Sequence, residues 1–384
     1  MRDSVEIGLG RSARRGYHLS DIGIVPSRRT RDLDVVSMTW QIDAYRFDIP
    51  LVAIPSDATM SPATVTEVGR LGGLGVLDAE GLWTRYDDPA PILAELAVLA
   101  GFDGLDDAGE SDATAVLQRV YAEPVRDDLI AQRIKELRDS GTIVAVRVSP
   151  QHTVRLAPAI LSAGVDLLVI QGTIVSAEHV SASAAQPPLN LKTFIADLDV
   201  PVVVGGCTNY QTALHLMRTG AAGVIVGVGA DEWSTTSRVL GIEVPMATAI
   251  VDAAAARRDY LDETGGRYVH VIAAGGIETS GDVAKALACG ADAVMLGEPL
   301  AMAAEAPARG AWWHTAASHP QLPRGRFAEA DEMWPIGTLE QVLNGPSTTP
   351  EGYLNLFGGL KRTIAKAGYS DLKEFQKVEL IVTS

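Results

Sequence analysis

Eight short apolar runs recur along the chain, most followed by a segment whose apolar positions return every three or four residues. Val224-Ile225-Val226 is the clearest. β-Branched residues without polar alternation suit a strand buried on both faces of a parallel sheet. The run then passes through Gly227-Val228-Gly229 into a loop of acids and hydroxyls, Asp231-Glu232-Trp233-Ser234-Thr235-Thr236-Ser237-Arg238. The other runs cover residues 49–55, 73–77, 142–148, 165–170, 201–205, 268–274 and 291–297. Between them the spacing predicts helices over 64–71, 127–140, 153–163, 210–219, 244–263 and 281–289, with a closing helix over 355–367. Strands alternating with helices predict an α/β fold, a (β/α)8 TIM barrel. The loops after its strands are where such a barrel keeps its chemistry.

Three segments fall outside the alternation. Residues 1–48 read as an irregular N-terminal extension, a solvated arm or one packed on the barrel or a neighbouring subunit. Residues 87–140 read as two helices, the second at 127–140, with an acidic loop at 103–112. Residues 306–350, rich in Pro, Gly and Trp, read as a flap-like excursion near the barrel mouth. The barrel is expected over 49–370 and a C-terminal tail over 371–384, with 375–382 a short strand or docked segment.

Composition narrows the partners. A formal charge of -16 argues against nucleic acid and anionic membranes, both polyanions. Two cysteines, Cys207 and Cys289, suggest no disulfide framework, and the N-terminus has no apolar leader; both fit a cytoplasmic protein. No apolar run approaches the roughly 20 residues needed to cross a bilayer.

Chemistry concentrates where strands end in glycine. Ala274-Gly275-Gly276-Ile277 and Gly297-Glu298 follow the seventh and eighth runs. Loops at those positions in barrels commonly cradle a phosphate through backbone N–H groups. His152, His215 and His270 are scattered, with no base and orienter paired in sequence, and read as structural. Cys207 follows the fifth run and reads as a small packed residue. Asp231 and Glu232 lack the supporting cluster of a metal site, so no metal is expected. Arg257-Arg258-Asp259 reads as a charged outer face, whereas Arg324 and Arg326 in the excursion could meet an anion at the mouth.

Taken together, these segments resemble the inosine monophosphate dehydrogenase and guanosine monophosphate reductase family. The resemblance runs in order through Ile49-Pro50-Leu51-Val52, Gly72-Gly73-Leu74-Gly75, Gly227-Val228-Gly229, Ser234-Thr235-Thr236 and Val244-Pro245-Met246-Ala247-Thr248-Ala249-Ile250. It continues through Ala274-Gly275-Gly276-Ile277, Ser280-Gly281-Asp282, Gly290-Ala291-Asp292-Ala293-Val294-Met295-Leu296-Gly297 and Gly358-Gly359-Leu360-Lys361. The chain is most similar to the short branch without paired CBS domains. The resemblance implies a TIM barrel, a purine nucleotide substrate, NAD(P) as cofactor and a tetrameric homo-oligomer.

It also implies a site that this chain alters. Ser234 stands where the family carries its catalytic cysteine, beside Thr235 and Thr236. A thiolate is accessible near neutral pH, whereas a serine hydroxyl needs a strong adjacent base. Ala274 stands for the ribose-binding aspartate, and Glu232 and Glu298 for serines that bind phosphate. Ile225 replaces a lysine and Gln171 the aspartate that meets the nicotinamide ribose. Gly229, Gly275, Gly276 and Gly297 remain as the glycines of the substrate and phosphate loops. These changes predict weak or absent turnover. The alternatives are a catalytically silent paralogue acting through binding or regulation, and an FMN-type barrel oxidoreductase.

Overall fold

The computed structural model describes residues 4–100, 107–180, 188–230, 233–328 and 334–383. Its centre is one parallel sheet of eight strands. These are β1 (Leu51–Ala53), β2 (Val76–Asp78), β3 (Ala145–Val148), β4 (Leu167–Gln171), β5 (Val202–Cys207), β6 (Gly223–Val226), β7 (His270–Ala274) and β8 (Ala293–Leu296). Each strand from β2 to β7 pairs in parallel with the next. β8 returns to β1, with Met295 opposite Val52. Val52 bridges Leu74 just ahead of β2, and Leu74 N donates to Leu51 O at 2.9 Å. The ring is therefore the expected (β/α)8 barrel. Every residue of β1, β2, β3, β5, β6 and β8 is buried, which is why these runs lack polar alternation.

The helices start and stop on local chemistry. Ser61 caps Pro62–Arg70 by accepting from Thr64 N, with proline in the first turn, where a missing N–H costs nothing. Asn209 and Thr279 cap Tyr210–Met217 and Ser280–Ala288 in the same way. Gly141, at φ 77°, ends Asp127–Ser140 in the left-handed region.

Several expectations need correction. Residues 87–140 hold three helices, Ala90–Ala100, Asp107–Tyr121 and Asp127–Ser140. The acidic stretch from 107 onward is thus helical, and 103–106 lie outside the described residues. No further sheet occurs between β2 and β3 among the described residues, as befits a chain without CBS domains. The N-terminal extension is not irregular. It forms a ribbon of Ser4–Gly8 with Arg11–Arg14, then a buried hairpin, Trp40–Ile42 with Tyr45–Phe47, in which Trp40, Ile42 and Phe47 join the core. Between them, Ile22–Ile24 pairs with the C-terminal strand Leu380–Val382.

The excursion has its own packing. Trp312–Trp313 pairs with Phe327–Ala328, and Trp313 stacks on Phe327 with ring centroids 5.8 Å apart. Leu93, Leu96 and Leu117 from the two extra helices complete this second cluster. Its tryptophans were unreadable as periodicity because they pack across loops.

Arg257 also departs from the sequence reading. It is buried, not on a charged outer face, and donates to Asp292 Oδ2 at 2.6 Å. Tyr268 and Lys373 hold the other oxygen of Asp292. Burial alone would raise Asp292, but Arg257 and Lys373 hold it well below the usual carboxylate range. This cluster ties the long helix Met246–Thr264 to β8 and to the C-terminal helix.

Candidate functional site at the barrel mouth

The C-terminal ends of β1, β6, β7 and β8 meet at a recess lined by Ile54, Trp233, Gly275, Gly276, Gly297, Glu298, Trp312 and His314. Gly227 marks the turn by which the chain leaves β6. At φ 142° it has a conformation side chains rarely adopt, and a Cβ there would lie 1.8 Å from Ala274 O. The chain leaves β6 sharply at this point and passes close to the end of β7. Gly276, at φ 63°, would place a Cβ 2.9 Å from Ala230 O. No other residue type fits these turns, so backbone approaches backbone where a ligand would sit.

The recess is nearly full. Its open space is about 40 Å³, room for on the order of one or two waters. The Trp233 indole forms part of its wall, and Nε1 donates to Glu298 Oε2. Trp233 O in turn accepts from Arg326 N at 2.8 Å, so the excursion fixes the tryptophan from outside. A roomier cleft of about 430 Å³ lies at the opposite end of the barrel, between Lys192, Asp199, Arg218 and Arg267. Volume alone does not locate a barrel's chemistry, which sits at the C-terminal strand ends.

Of the residues singled out in the sequence, Gly275, Gly276, Gly297 and Glu298 share the recess. Ser234, Thr235, Thr236, Ala274 and Gly229 are not on its lining. Ser234 Oγ donates to Thr236 Oγ1 at 3.0 Å and accepts from Thr236 N at 3.3 Å. Thr235 Oγ1 accepts from Gly325 N at 2.7 Å, which pins the excursion to the loop after β6. Gly229 faces Ile242 O, and Ala274 O lies against Gly227. Glu232 and Asp231 fall outside the described residues. Gln171 Nε2 contacts Met295 Sδ at 3.5 Å, and Ile225 is buried in β6. Cys207 is packed in β5, its Sγ donating to Ile225 O at 3.5 Å, and burial pushes its thiol up to about 12. It offers no thiolate.

Arg324 crosses the mouth from the excursion. Its Nη2 donates to Thr173 Oγ1 at 3.4 Å and its Nη1 to Leu322 O at 3.0 Å. Its Nε is buried and has no hydrogen-bond partner among the described residues. A buried, unsatisfied charged donor is costly and calls for an acceptor.

Sequence reasoning missed a second acid cluster beside the mouth. Glu80, just after β2, accepts from Ser149 Oγ at 3.0 Å and from Ser149 N, and pairs with His152 Nδ1. Burial would raise Glu80, but His152 and the Arg147 charge outweigh it and hold it at about 2. The hydrogen bond to Glu80 raises His152 in turn. Base and orienter are thus paired after all, across 72 positions of sequence. The only available hint was a run of strand, Val76-Leu77-Asp78, ending in acids. Next to it Asp57 is buried, accepting from Tyr121 Oη at 2.6 Å and Leu82 N at 2.9 Å. Burial, with the Asp78 charge nearby, raises Asp57 to about 7.

Comparison with known proteins gives this barrel its family. The model of the IMP dehydrogenase / GMP reductase domain matches residues 16–319, and the chain belongs to that family. It is 58% identical over 381 residues to an uncharacterized oxidoreductase of Mycolicibacterium smegmatis, covering 99% of this chain and all of that one. It is 27% identical over 320 residues to the inosine-5'-monophosphate dehydrogenase of Aquifex aeolicus, covering 79% of this chain and 59% of the other. A crystal structure of an IMP dehydrogenase/GMP reductase-like protein from Corynebacterium glutamicum superposes with a TM-score of 0.92 at 56% identity, covering 99% of this chain and 98% of that one.

Proposed function

We propose that this oxidoreductase-family barrel belongs to purine nucleotide metabolism but has lost thiol-dependent hydride transfer, and that its mouth binds a small anion instead of oxidising inosinate. The observation that carries this reading is the Trp233 indole bonded to Glu298 in the wall of the recess between Gly275-Gly276 and Gly297. A 5′-phosphate there would have to displace an indole and would meet a carboxylate. Shape and charge thus both oppose it at one subsite. Ser234, whose hydroxyl donates to Thr236, stands where the family's thiol is expected.

The family implies a nicotinamide dinucleotide, and position 171 fits it poorly. Gln171 directs its amide toward Met295 Sδ and offers no carboxylate to ribose hydroxyls. The donor left over is Arg324, which reaches the mouth from the excursion and supports an anionic ligand entering from that side.

The test is an absorbance assay at 340 nm with inosinate and NAD⁺, and in reverse with guanylate and NADPH. No rate is expected, and Ser234→Cys alone should not restore one. A rate in the unmodified protein that disappears in Ser234→Ala would overturn the proposal. A thermal-shift panel of nucleotides, phosphate and carboxylates should show a hit that Arg324→Gln abolishes. At a hundred times its dissociation constant a ligand stabilises by about 2.7 kcal/mol.

A further inference from the structure

The cleft at the N-terminal ends of the strands has the dimensions of a ligand site. Its volume of about 430 Å³ lies within the roughly 300–1,000 Å³ of small-molecule sites, whereas the mouth holds about 40 Å³. Five charged side chains line it, brought together from distant parts of the chain. Lys192 comes from the short helix Leu191–Ala196, Arg218 from the end of Tyr210–Met217, and Arg267 from the segment ahead of β7. Asp43 sits in the turn between Trp40–Ile42 and Tyr45–Phe47, and Asp199 lies just ahead of β5. The lining therefore carries one more cation than acid, in a chain whose net charge is -16.

These charges share a cleft without neutralising one another. Among the described residues, neither Asp43 nor Asp199 forms an ion pair with any of the three cations, and Lys192 has no hydrogen-bond or ion-pair partner. Arg218 spends Nε and Nη2 on the Glu263 carboxylate, at 2.6 to 3.1 Å, which leaves Nη1 uncommitted. Arg267 spends Nη2 on Gly220 O at 2.7 Å and keeps Nε and Nη1. Gly220, at φ 101°, brings charge and apolar surface to one corner. A Cβ there would lie 3.4 Å from Ile195 Cγ2 and 3.6 Å from Arg267 Nη2. Leu198, Val202 and Ala222 extend the apolar part of the lining. Uncommitted guanidinium and ammonium donors suit the oxygens of a phosphate, and uncommitted carboxylates suit hydroxyl donors.

We propose that this cleft binds a phosphate monoester that carries hydroxyl groups, a sugar phosphate or a nucleotide. Lys192, Arg218 and Arg267 hold the phosphate, Asp43 and Asp199 accept from the hydroxyls, and Ile195 supports the apolar face of the ligand. The site lies at the other end of the barrel from the mouth, so its occupancy does not depend on what the mouth binds.

Isothermal titration calorimetry of the full chain at low salt tests this, with ribose 5-phosphate, adenosine monophosphate, ribose and inorganic phosphate as probes. Both esters should bind, ribose should not, and inorganic phosphate should bind more weakly than either ester. Lys192→Gln with Arg267→Gln should weaken both esters by about tenfold or more. Raising the salt should weaken them as well. Asp43→Ala with Asp199→Ala should narrow the gap between the esters and inorganic phosphate. All four side chains are exposed, so melting temperature and circular dichroism without ligand should not change. Tighter binding of adenosine monophosphate than of ribose 5-phosphate assigns the cleft to a nucleotide, and equal or weaker binding to a sugar phosphate. No binding of either ester at millimolar concentration overturns the proposal. So does ester binding that Arg324→Gln at the mouth abolishes and the cleft variants leave intact, because the ligand then sits at the mouth. A gap unchanged by the two alanines overturns the role given to the carboxylates.

Discussion

Asp57→Asn should stabilise the protein at alkaline pH far more than at acid pH. Asp57 is 2% exposed, and burial with the neighbouring Asp78 charge lifts its carboxyl from 3.8 to about 7. Between those values the folded state holds a proton that the unfolded chain has released. Stability contributed by this group therefore falls as pH rises through that window and levels off above it. The full cost is about 4 kcal/mol, from roughly three pKa units at 1.36 kcal/mol each. Near pH 5.5 about half has already accrued, so about 2 kcal/mol separates pH 5.5 from pH 8. Asparagine keeps an acceptor for Tyr121 Oη and Leu82 N without titrating. Whatever offset its amide introduces is the same at both pH values and cancels in the comparison. Urea unfolding of both proteins, followed by tryptophan fluorescence and circular dichroism, gives the two differences. The pH stays above the pI of about 4.9 to avoid precipitation. Equal offsets at pH 5.5 and pH 8 would refute the reasoning, because they would mean that Asp57 carries the same charge in both states.

Other tests address the mouth and its neighbours. Trp233→Gly combined with Glu298→Ser should open the recess to inorganic phosphate in calorimetry. A unit charge pair about 4 Å apart is worth roughly 1 kcal/mol in water and about 4 near a protein surface, so at least a tenfold gain over the unmodified protein is expected. No gain would show that other groups exclude the anion. The His152 ring should titrate above 6.5 by NMR, since Glu80 stabilises its charged form, and Glu80→Gln should lower the midpoint. The stability this pair contributes is full between about pH 4.5 and 6.5; it fades as pH rises through the raised value of His152 and as pH falls toward the depressed value of Glu80. Gly227→Ala should cost more than about 3 kcal/mol, since its methyl would lie 1.8 Å from Ala274 O. A melting temperature within a degree or two of the unmodified protein's would contradict the turn described for β6.

The barrel was legible because its strands are buried on both faces, so that Val202-Val203-Val204 or Ala293-Val294-Met295-Leu296 declares itself without context. The glycines of the mouth were legible for a related reason: at Gly227 and Gly276 backbone must touch backbone. What stayed hidden depends on side chains meeting across long separations. Glu80 reaches His152 only because β2 and β3 are neighbours, and Trp233 reaches Glu298 only because β6 and β8 flank β7. The sequence shows an indole next to Ser234 but not which way it turns. Arg257 misled because a charged triplet on a helix usually faces water, and here Asp292 draws one member inward. The ribbon at Ser4–Arg14 escaped notice because its alternation is short and interrupted by Gly8 and Gly10.

The pairing of β1 with β8 carries a consequence for synthesis. Leu51–Ala53 leaves the ribosome long before Ala293–Leu296 exists, so one edge of the first strand waits unpaired while some 240 residues are added. A sheet whose apolar edge stays unpaired during synthesis is the kind of species most prone to aggregate or to recruit chaperones. Ile22–Ile24 waits longer still, for Leu380–Val382, so the last stitch tied is the one that joins the two ends of the chain.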